Sequence, residues 1–422
     1  MIRHFWFLPV LTLVSLCHQT LAQTVVDPAL TVSPVITSGG PITRPVAFTF
    51  IGPNDLLVCS QHTGQVRRVT NGVVSPTVAL DLPVATANEQ GLLNIELDPN
   101  FSSNQFVYVY YTRATMDGGP DIDHRVNRYT WNGSTLTSQT TILILPSTPG
   151  DNHNGGILRF GPPTSSTAEQ KLHIVIGDLN RTSQLENFAS GPAPADTASI
   201  LRVNPDGSTP TGAEAGPFFA VAGSNASLQR LYAYGIRNSF GLDFDPVTGH
   251  LWQTENGPGE YDEVNLVLPA FNSGWRRNMG PLSRGQFYTA PGFHTFSGVG
   301  TYSDPEFSWF SPVAVTAIHF ARGTGMGVQY LHNCFVGDGN NGRIYRFPLN
   351  PARNGFVLTG ALADLVLDTG DSNSQILFGQ GFISISDIRT GPDGALYVNS
   401  LFGNQIYRIA ANAGVGDWTL YE

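Results

Sequence analysis

One pattern of apolar and polar positions recurs along the chain. Each copy has a turn built on Gly-Pro or Asp-Pro, a β-rich run, a gap containing glycine, and a second strand of the Ile-Tyr-Arg type. The copies lie at Ile51–Val69, Leu97–Gly133, Leu158–Gly207, Leu242–Val267, Cys334–Asn350 and Ile388–Ala410. A spacing of roughly 50 to 70 residues is typical of repeat architectures. With no helical stretch long enough for parallel crossovers, the pattern predicts an all-β, six-bladed β-propeller with four-stranded antiparallel blades around a channel.

A propeller must close its ring, and the termini supply the candidates. We expect a strand near Val32–Ile36 to pair with the last blade, which removes an exposed sheet edge. Three long insertions lack strand alternation and are rich in Gly, Pro and Ser, namely Thr182–Ala198, Pro210–Ser227 and Arg276–Asp304. Such segments predict loops over one rim of the channel, where functional residues concentrate.

The first residues have the pattern of a signal peptide. Arg3 and His4 precede an apolar run from Phe5 to Leu16, and small residues lead to Ala22. This predicts a signal peptide over residues 1–22, cleaved after Ala22, and a single domain over residues 23–422 that is secreted or periplasmic. No later stretch reaches the roughly 18 apolar residues of a membrane helix, so no membrane span is expected.

Charge and cysteine content narrow the function classes. The chain carries 22 Lys and Arg against 32 Asp and Glu, a net charge of −10, which disfavours nucleic acid as a partner. Lys171 is the one lysine, and it precedes an apolar strand where a structural role is expected rather than Schiff-base chemistry. Cys59 and Cys334 follow the signal peptide, and they either form a disulfide or remain separate buried thiols.

The segment from Tyr234 to Trp275 combines strands with acidic residues. Strands are predicted at Gly241–Phe244 and His250–Thr254, and the second ends at Gly257-Pro258. A loop dense in carboxylates is expected around them, formed by Glu255, Glu260, Asp262 and Glu263. Free backbone carbonyls beside carboxylates suit Ca²⁺, which prefers six to eight oxygens. The alternative is an ordinary solvated turn.

Three further residues or pairs have chemistry suited to a site. His153, between Asn residues and glycines ahead of the predicted strand Ile157–Phe160, is a candidate general base or a loop histidine bonded to a carbonyl. Asp178 ends an apolar strand, and it either fixes the tautomer of His153 or caps a turn. Arg237-Asn238 offers a planar fork with an amide, or the arginine pairs with a nearby acid.

In combination and in this order, these segments resemble a known family. The matching stretches are Glu89–Phe101, Asp151–Pro162, Leu172–Asp178, Tyr234–Pro246, Glu255–Val267, Asn272–Trp275 and Ser386–Val398. The chain resembles the soluble sugar dehydrogenases that depend on pyrroloquinoline quinone (PQQ), the glucose/sorbosone dehydrogenase family of six-bladed propellers. The run of Arg-Asn, Asn-Gly-Pro and Asp-Glu is its most specific part.

The resemblance implies roles for individual residues. His153 would be the base that deprotonates the anomeric hydroxyl of the sugar while hydride passes to PQQ, and Asp178 would orient it. The remaining implied contacts are with PQQ at Arg237 and Asn238, with Ca²⁺ through the carbonyls of Gly257 and Pro258, and with a neighbouring calcium at Glu263. Electrons would pass to an external acceptor.

The chain departs from the family at the positions that neutralise the three carboxylates of PQQ. Asn340 stands where a lysine is expected, and Ser384 and Ser386 stand where arginines are expected. Glu89 replaces a glutamine at the cofactor rim and adds a negative charge. Burying carboxylates without cations costs several kcal/mol each. The candidates for compensation are Arg276, Arg343 and Arg389.

Three functions therefore stand in order. The first is PQQ- and calcium-dependent oxidation of an aldose or related polyol. The second is a non-catalytic propeller that has lost PQQ and binds carbohydrate or protein, which predicts that Glu89, Asn340, Ser384 and Ser386 line the channel with no arginine nearby. The third, a lactonase-type hydrolase, requires several side-chain ligands for a metal on the channel axis.

Overall fold

Short β-strands form nearly all the regular structure in the computed structural model, which describes residues 22–163, 170–221, 223–284 and 292–412. The strands assigned in these ranges are β1 (Thr24–Val25), β2 (Leu30–Ile36), β3 (Pro45–Gly52), β4 (Asp55–Ser60), β5 (Gln65–Thr70), β6 (Val73–Asp81), β7 (Leu92–Leu97), β8 (Phe106–Arg113), β9 (Asp123–Trp131), β10 (Leu136–Leu145), β11 (Leu158–Phe160), β12 (Leu172–Ile176), β13 (Ser199–Val203), β14 (Leu231–Tyr234), β15 (Gly241–Phe244), β16 (Leu251–Glu255), β17 (Asp262–Val267), β18 (Phe271–Asn272), β19 (Thr301–Tyr302), β20 (Phe307–Trp309), β21 (Val315–Phe320), β22 (Cys334–Asp338), β23 (Ile344–Phe347), β24 (Val366–Leu367), β25 (Leu377–Gln380), β26 (Ile385–Thr390), β27 (Leu396–Ser400) and β28 (Gln405–Ala411).

Helical segments are short. The α-helices found in the described ranges are α1 (Phe101–Asn104) and α2 (Ala226–Arg230). Single 3₁₀ turns occur at Gln184–Glu186, Gly212–Glu214, Leu282–Arg284, Val328–Tyr330 and Gly360–Asp364. None of these described helices is both long enough and apolar enough to cross a bilayer.

The strands pair into six sheets, which we number in chain order. Their strand orders are β3-β4-β5-β6 (sheet I), β10-β9-β8-β7 (II), β11-β12-β13-β14-β18-β19 (III), β15-β16-β17-β20-β24 (IV), β1-β25-β23-β22-β21 (V) and β2-β28-β27-β26 (VI). One strand of each sheet, β3, β7, β11, β15, β21 or β26, contacts its counterpart in the next sheet, and β26 contacts β3. The sheets therefore follow one another in a closed, propeller-like ring.

Alternation along each strand supplies the core between neighbouring sheets. In β4, Leu57 and Cys59 pack in the apolar cluster shared with sheet II, whereas Leu56 and Val58 pack in the cluster shared with sheet VI. Successive side chains of a strand point to opposite faces, so one apolar strand can serve two interfaces. Each fully buried aliphatic side chain contributes roughly 1.5–3 kcal/mol, which favours a ring with sheet on both sides of every sheet.

The predicted all-β, propeller-like architecture is confirmed, and so is its closure. β2 pairs antiparallel with β28, with Val32 opposite Ile409. The prediction of four antiparallel strands per sheet is wrong for sheets III, IV and V, because short strands extend them. β18, β19 and β24 join by parallel pairing, and β1 pairs antiparallel with β25. Each of these strands has only two residues, too few to show any periodicity.

Two sequence predictions concern residues that have little or no regular structure around them. The proposed signal peptide lies outside the described residues except for Ala22. Cys59 and Cys334 are free and buried, in sheets I and V respectively, which confirms the alternative of separate thiols and excludes the disulfide from this structure. Burial raises the pKa of the Cys334 thiol, as expected for an unreactive core cysteine.

Candidate active site

His153 and Asp178 form a buried pair at one end of sheet III. Nδ1 of His153 lies 2.6 Å from Oδ1 of Asp178, whose side chain is fully buried. β11 and β12 run antiparallel, so the segment before β11 and the residues after β12 lie at the same end of the hairpin. This hairpin brings together two residues that the sequence treated as separate candidates.

Asp178 accepts hydrogen bonds from three donors. Besides His153, Oδ1 accepts from the backbone N–H of Asn180 at 2.8 Å, and Oδ2 accepts from Nε1 of Trp275 at 2.7 Å. An ionised carboxylate only accepts, so Nδ1 of His153 carries its proton and Nε2 keeps a lone pair. Trp275 was part of a matching segment, but its hydrogen bond to Asp178 had no sequence signal because 97 residues separate them.

Gly177 allows three backbone segments to approach each other beside this pair. A Cβ atom at Gly177 would lie 2.3 Å from the carbonyl oxygen of His153 and 2.6 Å from that of Arg237. The N–H of Asp178 donates to the same Arg237 carbonyl at 2.9 Å. A glycine is therefore required for Arg237, which follows β14, to lie next to the histidine loop.

Arg237 is partly buried, and most of its contacts are with backbone and ring atoms. Its N–H donates to Oε1 of Glu255 at 2.6 Å, and Nη1 donates to the carbonyl of Asn256 at 2.9 Å. The guanidinium lies 5.4 Å from the Trp275 ring, and that of Arg276 lies 5.3 Å from the same ring. Burial lowers the pKa of Arg237, and its Nε has no partner among the described residues.

Glu89 connects the histidine loop to Arg237-Asn238. Oε2 of Glu89 accepts from the backbone N–H of His153 at 2.5 Å and of Asn154 at 3.2 Å, and Oε1 accepts from Nδ2 of Asn238 at 3.0 Å. Burial raises the pKa of Glu89, while these donors act in the opposite direction. The extra negative charge expected from the sequence is thus largely engaged with the protein's own N–H groups.

A cavity of about 200 Å³ adjoins Glu89. Ser384 and Ser386 also line it, as predicted, whereas Asn340 is exposed and is not one of its lining residues. The placement of Asn340 in a binding site is therefore wrong in this structure, because the turn after β22 carries its side chain to the surface. The walls are mostly apolar, with Leu93, Ile157, Phe240 and Phe402.

Arg44 lines the same cavity and had no sequence signal. Its Nε and Nη2 donate to Oε1 of Gln61 at 3.2 and 3.0 Å, and its guanidinium lies 4.8 Å from the Phe402 ring. No carboxylate of a described residue forms an ion pair with it. Arg44 precedes β3 and Ser384 precedes β26, so the closing contact between β3 and β26 brings them together.

The arginines that the sequence offered as compensation do not line this cavity. Arg389 is bound by Glu96 at 2.9 Å and Asp387 at 3.1 Å, in a separate cavity of about 310 Å³. Arg276 donates to the Thr182 hydroxyl at 3.3 Å and stacks on Trp275, while the N–H of Arg343 donates to Asp338. The suggestion that one of them replaces the missing cations is not supported.

The acidic segment is organised differently from the predicted loop. Glu255 ends β16, and Asp262 and Glu263 begin β17, all three buried. Asp262 accepts from the N–H of Gly257 at 2.9 Å and from backbone N–H groups of the segment before β21. No donor of a described residue reaches the carbonyl of Gly257 or Pro258, and Pro258 is exposed, so both carbonyls are available as ligands.

Glu255 and Glu263 are cross-strand neighbours in sheet IV. Burial raises the pKa of Glu255 to about 7, and burial together with the Glu255 charge raises that of Glu263 well above its ordinary value. The amide oxygens of Gln253 and Asn265, on the same pair of strands, have no partner in the described structure. Buried oxygens in excess of donors and cations suit a hard cation. No described group of three or more His, Cys, Asp or Glu side chains is spaced to bind a metal, so carbonyl or amide oxygens would have to contribute.

Comparisons with known proteins agree with this arrangement. The family model described as Glucose / Sorbosone dehydrogenase matches residues 42–405. Quinoprotein glucose dehydrogenase B from Acinetobacter calcoaceticus is 29% identical over 255 residues, which cover 56% of this chain and 50% of that protein. Aldose sugar dehydrogenase YliI from Escherichia coli (strain K12) is 26% identical over 360 residues, covering 84% and 86%. The PQQ-bound structure of aldose sugar dehydrogenase from Streptomyces coelicolor superposes with a TM-score of 0.64 at 22% identity, covering 91% and 98%, and supports the fold alone.

Proposed function

Because the chain belongs to the glucose/sorbosone dehydrogenase family, we propose that it oxidises an aldose or related polyol with PQQ and Ca²⁺, and passes the electrons to an external acceptor. The observation that carries this proposal is the buried His153–Asp178 pair, joined through Glu89 to a cavity of about 200 Å³. A base, its orienting carboxylate and a binding space therefore lie within one connected set of hydrogen bonds.

His153 is the proton acceptor in this proposal. Asp178 holds Nδ1 as a donor at 2.6 Å, so Nε2 is the atom that takes the proton from the substrate hydroxyl. Asp178 then stabilises the imidazolium, because its charge lies in a buried site of low dielectric. Trp275 and the N–H of Asn180 keep the carboxylate oriented, so the imidazole has one preferred orientation before the substrate arrives.

The residues present fit an aromatic, anionic cofactor. Phe240, Phe402, Leu93 and Ile157 give the cavity flat apolar walls, and Arg44 supplies a guanidinium that no described carboxylate pairs. The unpartnered Nε of Arg237 and Oδ1 of Asn238 would meet polar atoms of the cofactor. When bound, PQQ supplies a two-electron acceptor and Ca²⁺ supplies a Lewis acid.

The calcium ligands we propose are the carbonyls of Gly257 and Pro258, with Glu263 at a neighbouring calcium position. The support is the excess of buried oxygens along β16 and β17 and the lack of described donors at the two carbonyls. We infer further that the six sheets are the blades of a six-bladed propeller, from their closed ring of contacts, and that export follows the N-terminal sequence.

A second function has a specific observation in its favour. Ser384 and Ser386 line the cavity where cations are expected, which is consistent with a propeller that lost PQQ and binds carbohydrate or protein. That hypothesis also predicted that no arginine would be near, and Arg44 contradicts this part of it. The oxidase-type function of the family is therefore the stronger proposal.

The test uses residues 23–422 purified and mixed with PQQ and Ca²⁺. We expect saturable PQQ binding and aldose-dependent reduction of a dye. His153→Ala should remove turnover by roughly 100- to 10,000-fold while PQQ binding is kept. His332→Ala is a matched control, since His332 has a φ of 58° against 62° for His153. Absence of binding at micromolar PQQ would overturn the enzyme proposal in favour of the binding protein.

A further inference from the structure

The cavity beside Glu89 holds an arginine and two hydroxyls from segments far apart in the chain. Arg44 and Ser384 are separated by 340 positions, and the closing contact of the ring brings them to one space. Glu89, the acid that lines the cavity, already accepts three hydrogen bonds from His153, Asn154 and Asn238. The charge of Arg44 is therefore not neutralised by the acid nearest to it in the site.

The free donors of this group define what it can bind. Nε and Nη2 of Arg44 both donate to the amide oxygen of Gln61, and Nη1 donates to no described residue. The Ser386 hydroxyl accepts from Nδ2 of Asn399 at 2.6 Å, which leaves its own O–H to donate elsewhere. A half-buried guanidinium with a spare edge, together with hydroxyl donors, is complementary to a carboxylate.

We propose that Arg44, with the hydroxyls of Ser384 and Ser386, binds a carboxylate of the ligand in this cavity. Arg44 thereby takes the place of the cations that Asn340, Ser384 and Ser386 do not provide. The inference deepens the proposed function and rests on it for the identity of the ligand. The carboxylate belongs either to PQQ or to an acidic sugar substrate such as a uronate, and the experiment separates these sources.

The phenyl ring of Phe402 stabilises the arginine in the orientation that this role requires. It lies 4.8 Å from the guanidinium and is 55% exposed, so it covers one face of Arg44 while the rest of the ring faces solvent. Gln61 fixes the other side and is itself held, because its Nε2 donates to the carbonyls of Glu89 and Gln90 at 3.2 Å. Arg44 is thus positioned before any ligand binds.

The experiment compares Arg44→Gln with the wild type by equilibrium titration of PQQ, followed by absorbance at low salt. Loss of a charge-assisted contact should weaken PQQ binding by roughly 10- to 100-fold. Arg128→Gln is the matched control, because Arg128 also stacks on a phenylalanine, Phe106, at 4.2 Å but lines a different cavity. Phenanthrenequinone, an ortho-quinone without carboxylates, should bind both proteins equally.

Each outcome decides a separate point. Unchanged PQQ binding in Arg44→Gln, with a selective rise in KM for glucuronate over glucose, assigns the carboxylate to the substrate. Unchanged PQQ binding with unchanged KM values overturns the inference and leaves the proposed function intact.

If the wild type does not bind PQQ, the cofactor proposal fails, and benzene-1,3,5-tricarboxylate becomes the probe. Arg44-dependent binding of that anion supports the carboxylate site, and absence of binding overturns it as well. Arg44→Lys keeps the charge without the planar fork, so it provides a second variant should Arg44→Gln fail to fold. Its PQQ affinity should lie between those of the wild type and Arg44→Gln.

Discussion

Replacing Asp178 by asparagine tests the base and its orientation at a single atom. The carboxylate accepts from His153 and the Asn180 N–H on Oδ1 and from Trp275 on Oδ2. An amide has only one acceptor oxygen, so one of the three donors must meet the NH₂ group. If the amide oxygen takes the Oδ1 position, the NH₂ faces the indole N–H. If it takes the Oδ2 position, the NH₂ donates to Nδ1 and forces the proton of His153 onto Nε2, where the base is needed.

The magnitude follows from these contacts. A hydrogen bond to a charged group is worth about 1.5–3 kcal/mol, which corresponds to roughly 10- to 150-fold in rate when it acts in the transition state. The wrong tautomer removes general-base catalysis, typically a further 10²- to 10⁴-fold for the affected molecules. We expect kcat of Asp178→Asn to fall by about 10²- to 10⁴-fold, and PQQ affinity to change by less than about threefold, because Asp178 does not line the cavity.

The assay measures dye reduction and PQQ affinity on the same preparations, with Trp275→Phe and the double variant. Trp275→Phe removes the donor that opposes the amide, so the double variant should recover about 1 kcal/mol of the stability lost in Asp178→Asn. Retention of more than a tenth of wild-type kcat in Asp178→Asn would refute the assigned roles. Equal losses of kcat and PQQ binding would instead place Asp178 in the binding of the cofactor.

Three further predictions concern the framework. Gly177→Ala should lower the free energy of unfolding by about 1–3 kcal/mol in urea titrations, because its Cβ would lie 2.3 Å from the His153 carbonyl, whereas Gly259→Ala, with open space around it, should change it by less than about 0.5. Burial raises the pKa of Glu186 from 4.5 to about 7, so its folded form binds more protons than its unfolded form between these values, and stability falls as pH rises through that window by up to about 3 kcal/mol. Glu186→Gln should therefore gain on the wild type between pH 4.5 and 7, and parallel pH profiles would contradict this. Cys59 and Cys334 should react with a thiol reagent only in denaturant, and labelling of the native protein would show that one is accessible.

The sequence was sufficient where the relevant signal lies within one repeat. The closing strand, the strand Gly241–Phe244 and the His153–Asp178 hairpin were all read from local alternation, turns and matching segments. It was insufficient where the ring brings distant segments together. Arg44 has no motif of its own, and its meeting with Ser384 depends on the contact between β3 and β26.

The carboxylates show a second limit. Glu255, Asp262 and Glu263 beside Gly-Pro have the composition of a solvated loop, yet they lie in β16 and β17 and are buried. Their burial depends on amide, hydroxyl and backbone donors from other segments, such as Ser273 on Glu255 and the Gly280 N–H on Glu263. Asn340 shows the converse, since a position that a family pattern assigns to a cofactor contact lies on an exposed turn.

The most direct test of the central claim is a single-turnover measurement. Wild type and His153→Ala, each loaded with PQQ and Ca²⁺, are mixed with an aldose in the absence of an acceptor, and reduction of the bound quinone is followed by absorbance. With equal loading, we predict reduction in the wild type and a rate at least about 100-fold lower in His153→Ala, because Nε2 of His153 is the proton acceptor held by Asp178. Equal rates in the two proteins, or a loaded wild type that no aldose reduces, would contradict the account.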